Sequence, residues 1–183
     1  MNNERNTGFS IEAIMSMPTY EETAARPIAA PQSQDISDLL NKVLSRLSRL
    51  FSIEKASLAL FNFTDHNLHV SHMYKDKQVK TGITLIVQPV KSTMYQVLMQ
   101  GYPIVDNYPE LISSNIIERK ILLSEGTKSL LIVPLACDCY KLGVLTMSSN
   151  EECAFGTYLE GVGEGIVAEL STALYINQAA GGR

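Results

Sequence analysis

Two neighbouring stretches, SLLIVPL (residues 129–135) and LGVLTMS (residues 142–148), are the clearest strand pair in this sequence. Both are short, apolar runs, and the segment 136–141 between them predicts a turn. Upstream, SLALFNF (57–63) and LHVSHMY (68–74) predict a second hairpin around the turn residues TDHN. Further short strands are predicted near Ile83, Leu85 and Val87 and in the extended piece 103–106. These hairpins indicate an antiparallel sheet.

Amphipathic helices bracket the predicted strands. Apolar residues recur at helical spacing from Ile36 to Phe51, and Asp35 is the expected N-cap of this helix. The same spacing runs from Leu159 to Leu174, with Thr157 as N-cap and Glu160 at N3 of a capping box. Three glycines at 161, 163 and 165 fall on this last helix. The simplest account of Gly161 and Gly165 is close approach to a neighbouring backbone, and a break in the helix is the main alternative.

Two shorter helices interrupt the strands. One follows Pro89, carries Val90 and Met94, and ends at Gly101 as a C′ glycine; the other runs from about Ser114 to Leu123. The expected fold is therefore α+β, with three layers around a central antiparallel sheet of about five or six strands. The terminal helices cover one face, and the helical and loop insertions cover the other.

Composition divides the chain into three parts. Residues 1–34 contain three prolines and no regular period, which predicts a flexible arm or linker. Residues 35–178 form the predicted domain, and residues 179–183 a frayed tail. We expect no signal peptide, because the N-terminus lacks an apolar segment behind a basic start.

The order and spacing of several stretches resemble the GAF domain family over most of the chain. They are GYPIVD (101–106), SLLIVPL, GVLTM (143–147), Phe155 and the helix ending ALYIN (173–177). The resemblance implies a small-molecule site between the sheet and the insertions, dimerisation through the terminal helices, or both. It does not identify a ligand, because one fold hosts many functions.

The ligand site that the resemblance implies would lie over the sheet face covered by residues 76–128. Small-molecule pockets are mostly apolar, with a few placed polar groups. The candidate lining residues are Phe61, Phe63, Tyr74, Tyr95, Tyr108, Ser129, Thr146 and Ser148. That these residues only fill the core is the competing interpretation. Asp106 is expected to cap the turn that follows it.

The two terminal helices are the candidate dimer interface, because paired copies would bundle them. The side chains expected to face the partner are Leu40, Leu44, Leu47, Val162, Ile166 and Leu170.

Cysteine positions argue against the chemistry that some GAF-like proteins carry. No cysteine precedes Cys137, so a covalently attached bilin is not expected, and the identity of any cofactor stays open. Methionine sulfoxide reductases of this family use cysteines just before the strand at 129–135, whereas Cys137 and Cys139 follow it and Cys153 lies beyond the next strand. The strand at 142–148 separates Cys153 from the other two, which disfavours a three-cysteine metal site, and Cys137 and Cys139 could pair only with each other in a strained i,i+2 disulfide. His66, His69 and His72 are not expected to bind a metal together.

The net charge and the absence of known motifs argue against several classes of function. The net charge of −4 argues against nucleic acid as a partner, and no apolar run approaches the ~18 residues that span a bilayer, so no membrane insertion is expected. Three cysteines in a chain of this length favour a reducing cytoplasm over a disulfide framework. No phosphate-binding, dinucleotide-binding or hydrolase motif occurs.

The expected function is a non-catalytic sensory domain that binds an unknown small ligand and relays its state as a homodimer. Its output would come from a longer sensor of which this chain is a piece, or from a partner protein. A dimerisation module without a ligand is the first alternative, and a methionine sulfoxide reductase is the second.

Overall fold

The computed structural model describes residues 33–109, 112–158 and 161–180, with the backbone alone at 33–35, 84, 162 and 180. No helix within these ranges is both long and apolar enough to cross a lipid bilayer. The elements in chain order are α1 (Ser33–Leu47), β1 (Lys55–Asn62), β2 (Asn67–Lys75), β3 (Gln78–Val87), α2 (Thr93–Gln100), β4 (Ile104–Asp106), α3 (Ile116–Leu122), β5 (Ser129–Cys137), β6 (Tyr140–Ser149) and α4 (Val162–Ala180).

The strands form one six-stranded sheet in the order β3-β2-β1-β6-β5-β4. All five neighbouring pairs are antiparallel, as the hairpin signals predict. The central pair, β1 with β6, joins the first and last strands of the chain, so it closes the sheet through long-range contacts. The predicted α+β class and the strand number are confirmed.

The helix face of the sheet, which α1 and α4 cover, holds the larger core. Strand residues such as Leu58, Leu145 and Met147 pack there against the apolar stripes of both helices. Five of the side chains predicted to face a dimer partner are buried in this core: Leu40, Leu44, Leu47, Ile166 and Leu170. They pack within the protomer because the sheet itself supplies the apolar surface that both stripes need. Val162 begins α4.

The insertion face of the sheet, which α2 and α3 cover, holds a second core. Met94, Val97 and Leu98 of α2 and Ile121 and Leu122 of α3 contact apolar side chains of the strands beneath. The predicted placement of terminal helices on one face and insertions on the other is therefore confirmed. Each core is built on one side of the same strands, so the sheet is apolar on both faces.

A β-bulge in β2 exchanges the faces of its side chains. The register between β2 and β3 shifts between Val70 and His72. Val70 packs in the insertion-face core, whereas Tyr74 packs in the helix-face core. An inserted residue reverses the alternation of a strand. The prediction that Tyr74 lines the insertion-face site is therefore wrong.

Several predicted element boundaries need correction. Helix α1 begins at Ser33, which places Asp35 inside the helix rather than at its N-cap. The third strand is ten residues long, because its polar first half pairs with β2 through the backbone. Helix α2 begins only at Thr93, where Ser92 is the N-cap and accepts a hydrogen bond from the Tyr95 amide; Gly101 ends it in the left-handed conformation, as predicted.

The last helix also begins later than predicted. It starts at Val162, after Gly161 with a φ of 96°, so Thr157 is not its N-cap. The proposed capping partner, Glu160, lies outside the described residues. Close approach occurs at Gly163 rather than at Gly161 or Gly165, because a Cβ on Gly163 would lie 2.5 Å from the Tyr158 ring.

Gly163→Ala is expected to lower the free energy of unfolding by about 1–3 kcal/mol, the range for overpacking a filled core. The added methyl would press on the rings of Tyr158 and Phe51, both buried in the helix-face core. Gly165→Ala is the matched control, since a Cβ there meets open space and alanine stabilises a helix by about 0.5–1 kcal/mol over glycine. Urea unfolding measures both, and equal effects of the two substitutions would contradict this account of Gly163.

Candidate functional site

Four polar side chains occupy the centre of the insertion face. Lys55 pairs across the strands with Ser148, and Ser57 pairs with Thr146. On the other side of β6, Ser148 pairs with Leu130 of β5 and Thr146 pairs with Ile132. Both of these β5 residues belong to the insertion-face core. Directly paired residues of antiparallel strands point to the same side of the sheet. Lys55, Ser57, Thr146 and Ser148, called the polar block below, therefore lie beneath α2 and α3.

The hydroxyl groups of the polar block are buried but unequally satisfied. The Ser57 Oγ and Thr146 Oγ1 atoms form a hydrogen bond of 2.6 Å. The Ser148 Oγ is also buried, yet no hydrogen-bond partner for it exists among the described residues. A buried hydroxyl without a partner costs about 1–3 kcal/mol of desolvation. Ser148 therefore presents an open hydrogen-bonding group within the polar block.

Lys55 brings a positive charge into the polar block. The residue is only 7% exposed, and its Nζ donates to the Lys120 carbonyl at 3.0 Å and the Leu123 carbonyl at 3.5 Å. These carbonyls lie at the C-terminal end of α3. Burial lowers the pKa of the Lys55 ammonium from its usual range, and the nearby Lys75 lowers it further.

The two insertion helices are fastened to each other by buried hydrogen bonds. The Glu118 carboxylate of α3 accepts from the backbone amides of Thr93 at 2.8 Å and Met94 at 3.2 Å, which are the first residues of α2. The Thr93 hydroxyl donates to the Ile112 carbonyl at 2.5 Å. The second oxygen of Glu118 has no partner among the described residues. Helices α2 and α3 thus form one cover over the polar block.

Three of the predicted aromatic lining residues form one cluster. The Phe61 ring lies 5.0 Å from that of Phe63 and 6.2 Å from that of Tyr95, measured between ring centroids. Phe61 and Tyr95 pack against the insertion-face core, and Phe63 is exposed. The cluster lies at the end of β1, whereas Lys55 is the first residue of that strand. The aromatic cluster and the Lys55 charge are therefore at opposite ends of β1.

The remaining predicted lining residues lie elsewhere. Tyr74 faces the helix-face core, and Ser129 is on the same side of β5 as Leu131, where its hydroxyl donates to the Glu151 carbonyl at 2.7 Å. Tyr108 is 83% exposed and borders a separate open cleft of about 420 Å³ at the sheet edge. The Asp106 carboxylate accepts from the Tyr108 amide at 2.7 Å, which confirms its predicted role in that turn.

Sequence reasoning missed Lys55 and Glu118. A charged residue at a strand start or in a short helix is usually on the surface, so the sequence gives little reason to expect either side chain to be buried. The available signal for Lys55 was its position two residues before Ser57, which places it in the same row of the strand.

The three cysteines are free and dispersed. Cys137 ends β5 and is half-buried, Cys139 is exposed in the following turn, and Cys153 is exposed beyond β6. Within the described ranges, no group of three or more His, Cys, Asp or Glu side chains is arranged to hold a metal ion.

No protein-family model and no curated protein sequence matches the chain. Solved structures do match. The GAF domain of a two-component sensor histidine kinase from Bacillus halodurans aligns with a TM-score of 0.63 at 18% identity, over 83% of this chain and 99% of that one. A GAF domain/HD domain protein from Geobacter sulfurreducens aligns with a TM-score of 0.60 at 13% identity, over 79% and 95%.

The matching structures also include an enzyme. Free methionine-R-sulfoxide reductase from Neisseria meningitidis, solved in complex with its substrate, aligns with a TM-score of 0.57 at 16% identity, over 79% of this chain and 80% of that one. At these identities the likeness concerns the fold and not the activity.

Proposed function

Because the chain has the GAF fold, we propose that it is a non-catalytic regulatory domain of signal transduction. It binds a small ligand on the insertion face and relays the bound state through α1 and α4 as a homodimer, in the cytoplasm. The three free thiols suit that reducing compartment. The output belongs to another domain or to a partner protein.

The observation that carries this proposal is the buried polar block, in which the Ser148 hydroxyl has no partner among the described residues. An interior layer that buries a lysine and leaves the Ser148 hydroxyl without a partner is destabilising for a purely structural domain. Such groups are the ones that fix the orientation of a ligand in a mostly apolar pocket. A ligand that hydrogen-bonds Ser148 would offset the desolvation of this hydroxyl, and it would do so only in the bound state.

The relay follows from the placement of the same two strands between the site and the helices. On β1 and β6, polar-block residues alternate with Leu58, Leu145 and Met147, which contact the cores of α1 and α4 on the other face. A displacement of either strand therefore reaches the terminal helices directly. Arg46 of α1 and Glu169 of α4 form a side-chain ion pair that joins these helices to each other.

The homodimer must use other side chains than the buried stripes. Leu50, just beyond α1, is 45% exposed, and Ile176 of α4 is 58% exposed. Both lie on the terminal helical layer and are available to a second copy. A dimerisation module without a ligand would use the same residues, so only the occupancy of the polar block separates the two functions.

The position of the thiols supports a non-catalytic role. Cys139 and Cys153 flank the two ends of β6, a ten-residue strand that spans about 33 Å at ~3.3 Å per residue. A nucleophilic and a resolving thiol must come into bonding contact. The strand keeps Cys153 away from the other two thiols, and Cys137 and Cys139 lie two residues apart, where a disulfide would be strained. Reduction of free methionine sulfoxide by the purified protein with a dithiol reductant would overturn this part of the proposal.

Native mass spectrometry of the gently desolvated chain tests the proposal first. A dimer mass that includes an added small molecule is the expected result. A bare dimer would favour the dimerisation module, and a bare monomer would contradict both.

Ser148→Ala is expected to leave the ligand-free protein equally stable or up to about 1 kcal/mol more stable, because it removes a buried hydroxyl that no described residue hydrogen-bonds. Ser57→Ala, the matched control, is expected to cost about 1–2 kcal/mol, because it leaves the Thr146 hydroxyl unpaired. Urea unfolding gives both values. If Ser148→Ala destabilises the protein as much as Ser57→Ala, Ser148 is satisfied within the fold and is not held open for a ligand.

A further inference from the structure

Lys55 is a buried cation that has no carboxylate partner in the described part of the chain. Its ammonium donates only to two neutral carbonyls, and none of the ion pairs among the described residues includes it. Buried charges in proteins are normally paired, because neutral acceptors do not compensate the loss of hydration. The insertion-face site therefore holds an uncompensated positive charge beside the open Ser148 hydroxyl.

A groove runs along the end of α3 whose carbonyls hold this charge. It has a volume of about 420 Å³ and is lined by Ile116, Arg119, Lys120, Leu123, Ser124 and Glu125. Lys120 and Leu123 are also the residues whose carbonyls accept from the Lys55 ammonium, so the groove and the buried charge share the end of α3. The lining carries two basic side chains against one acidic one, in a chain whose net charge is −4.

We propose that the ligand of this domain is a small oxyanion, carried as a carboxylate or phosphate group, which Lys55 binds together with Ser148 after giving up the α3 carbonyls. This inference rests on the proposed function and specifies the ligand class of the same site. A full negative charge is a stronger acceptor for the ammonium than a carbonyl, and both Lys55 and Ser148 can donate to it.

When Lys55 exchanges the α3 carbonyls for an anion, the position of α3 changes with binding. Without an anion, Lys55 holds the last turn of α3 by its carbonyls at Lys120 and Leu123. These carbonyls form the negative end of the helix, so an anion cannot approach Lys55 while they remain in contact with it. Binding therefore releases the C-terminal turn of α3, and Glu118 passes the movement to α2.

Lys55→Met tests the inference, with Lys75→Met as the matched control. Methionine keeps the length of the side chain and removes a buried charge, a change that proteins commonly tolerate. Lys75 is the exposed cross-strand neighbour of Lys55, so its removal deletes the same charge nearby. The full chain is titrated with inorganic phosphate and with acetate at constant ionic strength, and backbone amide shifts at residues 120–126 are followed by NMR.

The wild type and Lys75→Met are expected to bind at least one of the two anions with shifts concentrated at the end of α3. Lys55→Met is expected to bind it tenfold more weakly or worse, the loss of about one charge-assisted hydrogen bond. Preference between phosphate and acetate identifies the anion. Ser148→Ala, which keeps the charge, is expected to weaken the same binding.

Equal binding by Lys55→Met and the wild type overturns the inference, as does the absence of binding by both anions. If neither anion binds while mass spectrometry finds a neutral ligand, the inference fails and the proposed function stands. If no ligand of any kind binds, both fail.

Discussion

Gly143→Ala is expected to lower the free energy of unfolding by about 3 kcal/mol or more. Gly143 lies in β6, opposite Leu60 of β1 at the centre of the sheet. A Cβ built on it would lie 2.1 Å from the Ala59 carbonyl oxygen and 2.9 Å from the Leu60 Cα. Both contacts are with backbone, so no side-chain rotation relieves them, and the two central strands must move apart. Overpacking a core costs about 1–3 kcal/mol even where side chains yield.

Gly156→Ala is the matched control for this substitution. The same methyl group at Gly156 meets only the Cys153 carbonyl oxygen, at an ordinary contact distance of 3.5 Å. Its effect is expected to stay within about 0.5 kcal/mol, as for surface substitutions generally. Urea unfolding followed by circular dichroism measures both variants. An unchanged midpoint for Gly143→Ala would show that β1 and β6 separate without cost, and would remove the rigid coupling on which the proposed relay depends.

The sequence predicted the sheet well because each hairpin carries its own local signal. The stretches around Leu131 and Leu145 are apolar on both faces, and this pattern correctly indicated strands covered on both sides. The bulge in β2 could not be predicted in the same way. One extra residue near Ser71 leaves the composition of the strand unchanged, so Tyr74 was assigned to the face that Val70 occupies.

The terminal helices show a second limit of pattern reasoning. The stripe that contains Leu40 and Leu44 predicts a buried helix face, but it does not say what buries it. In the structure the sheet does so, and the apolar side chains of the described helical layer that remain exposed, such as Ile176, are scattered. Periodicity identifies buried positions and cannot distinguish a core from an interface.

The candidate site could be predicted only in its uncharged half. Thr146 and Ser148 share one face of a predicted strand, as i, i+2 residues do, and the structure places both on the insertion face. The burial of Lys55 and Glu118 could not be predicted, because it depends on backbone groups of other elements. Lys55 contacts the end of α3, and Glu118 contacts the start of α2. Such contacts are long-range and leave no trace in local sequence.

Glu118→Ala is expected to destabilise the insertion by about 3 kcal/mol. The Glu118 carboxylate accepts hydrogen bonds from two of the first amides of α2, those of Thr93 and Met94. The Ser92 hydroxyl accepts from a third, at 3.0 Å. The first four amides of a helix have no partner within it, and each buried amide left unsatisfied costs about 1–3 kcal/mol. Removing the carboxylate orphans the amides of Thr93 and Met94 together, and it also empties a fully buried volume between the helices.

Glu118→Gln separates the hydrogen bonds from the charge. The amide oxygen of glutamine can still accept from Thr93 and Met94, so this variant is expected to lose no more than about 1 kcal/mol. Hydrogen exchange at the first amides of α2 is the sharper measurement, because it reports the opening of this helix end without unfolding of the sheet. Faster exchange in the alanine variant and near-normal exchange in the glutamine variant are expected. Unchanged exchange in Glu118→Ala would mean that Glu118 does not couple the two helices, and the movement of α3 would then stop at α3.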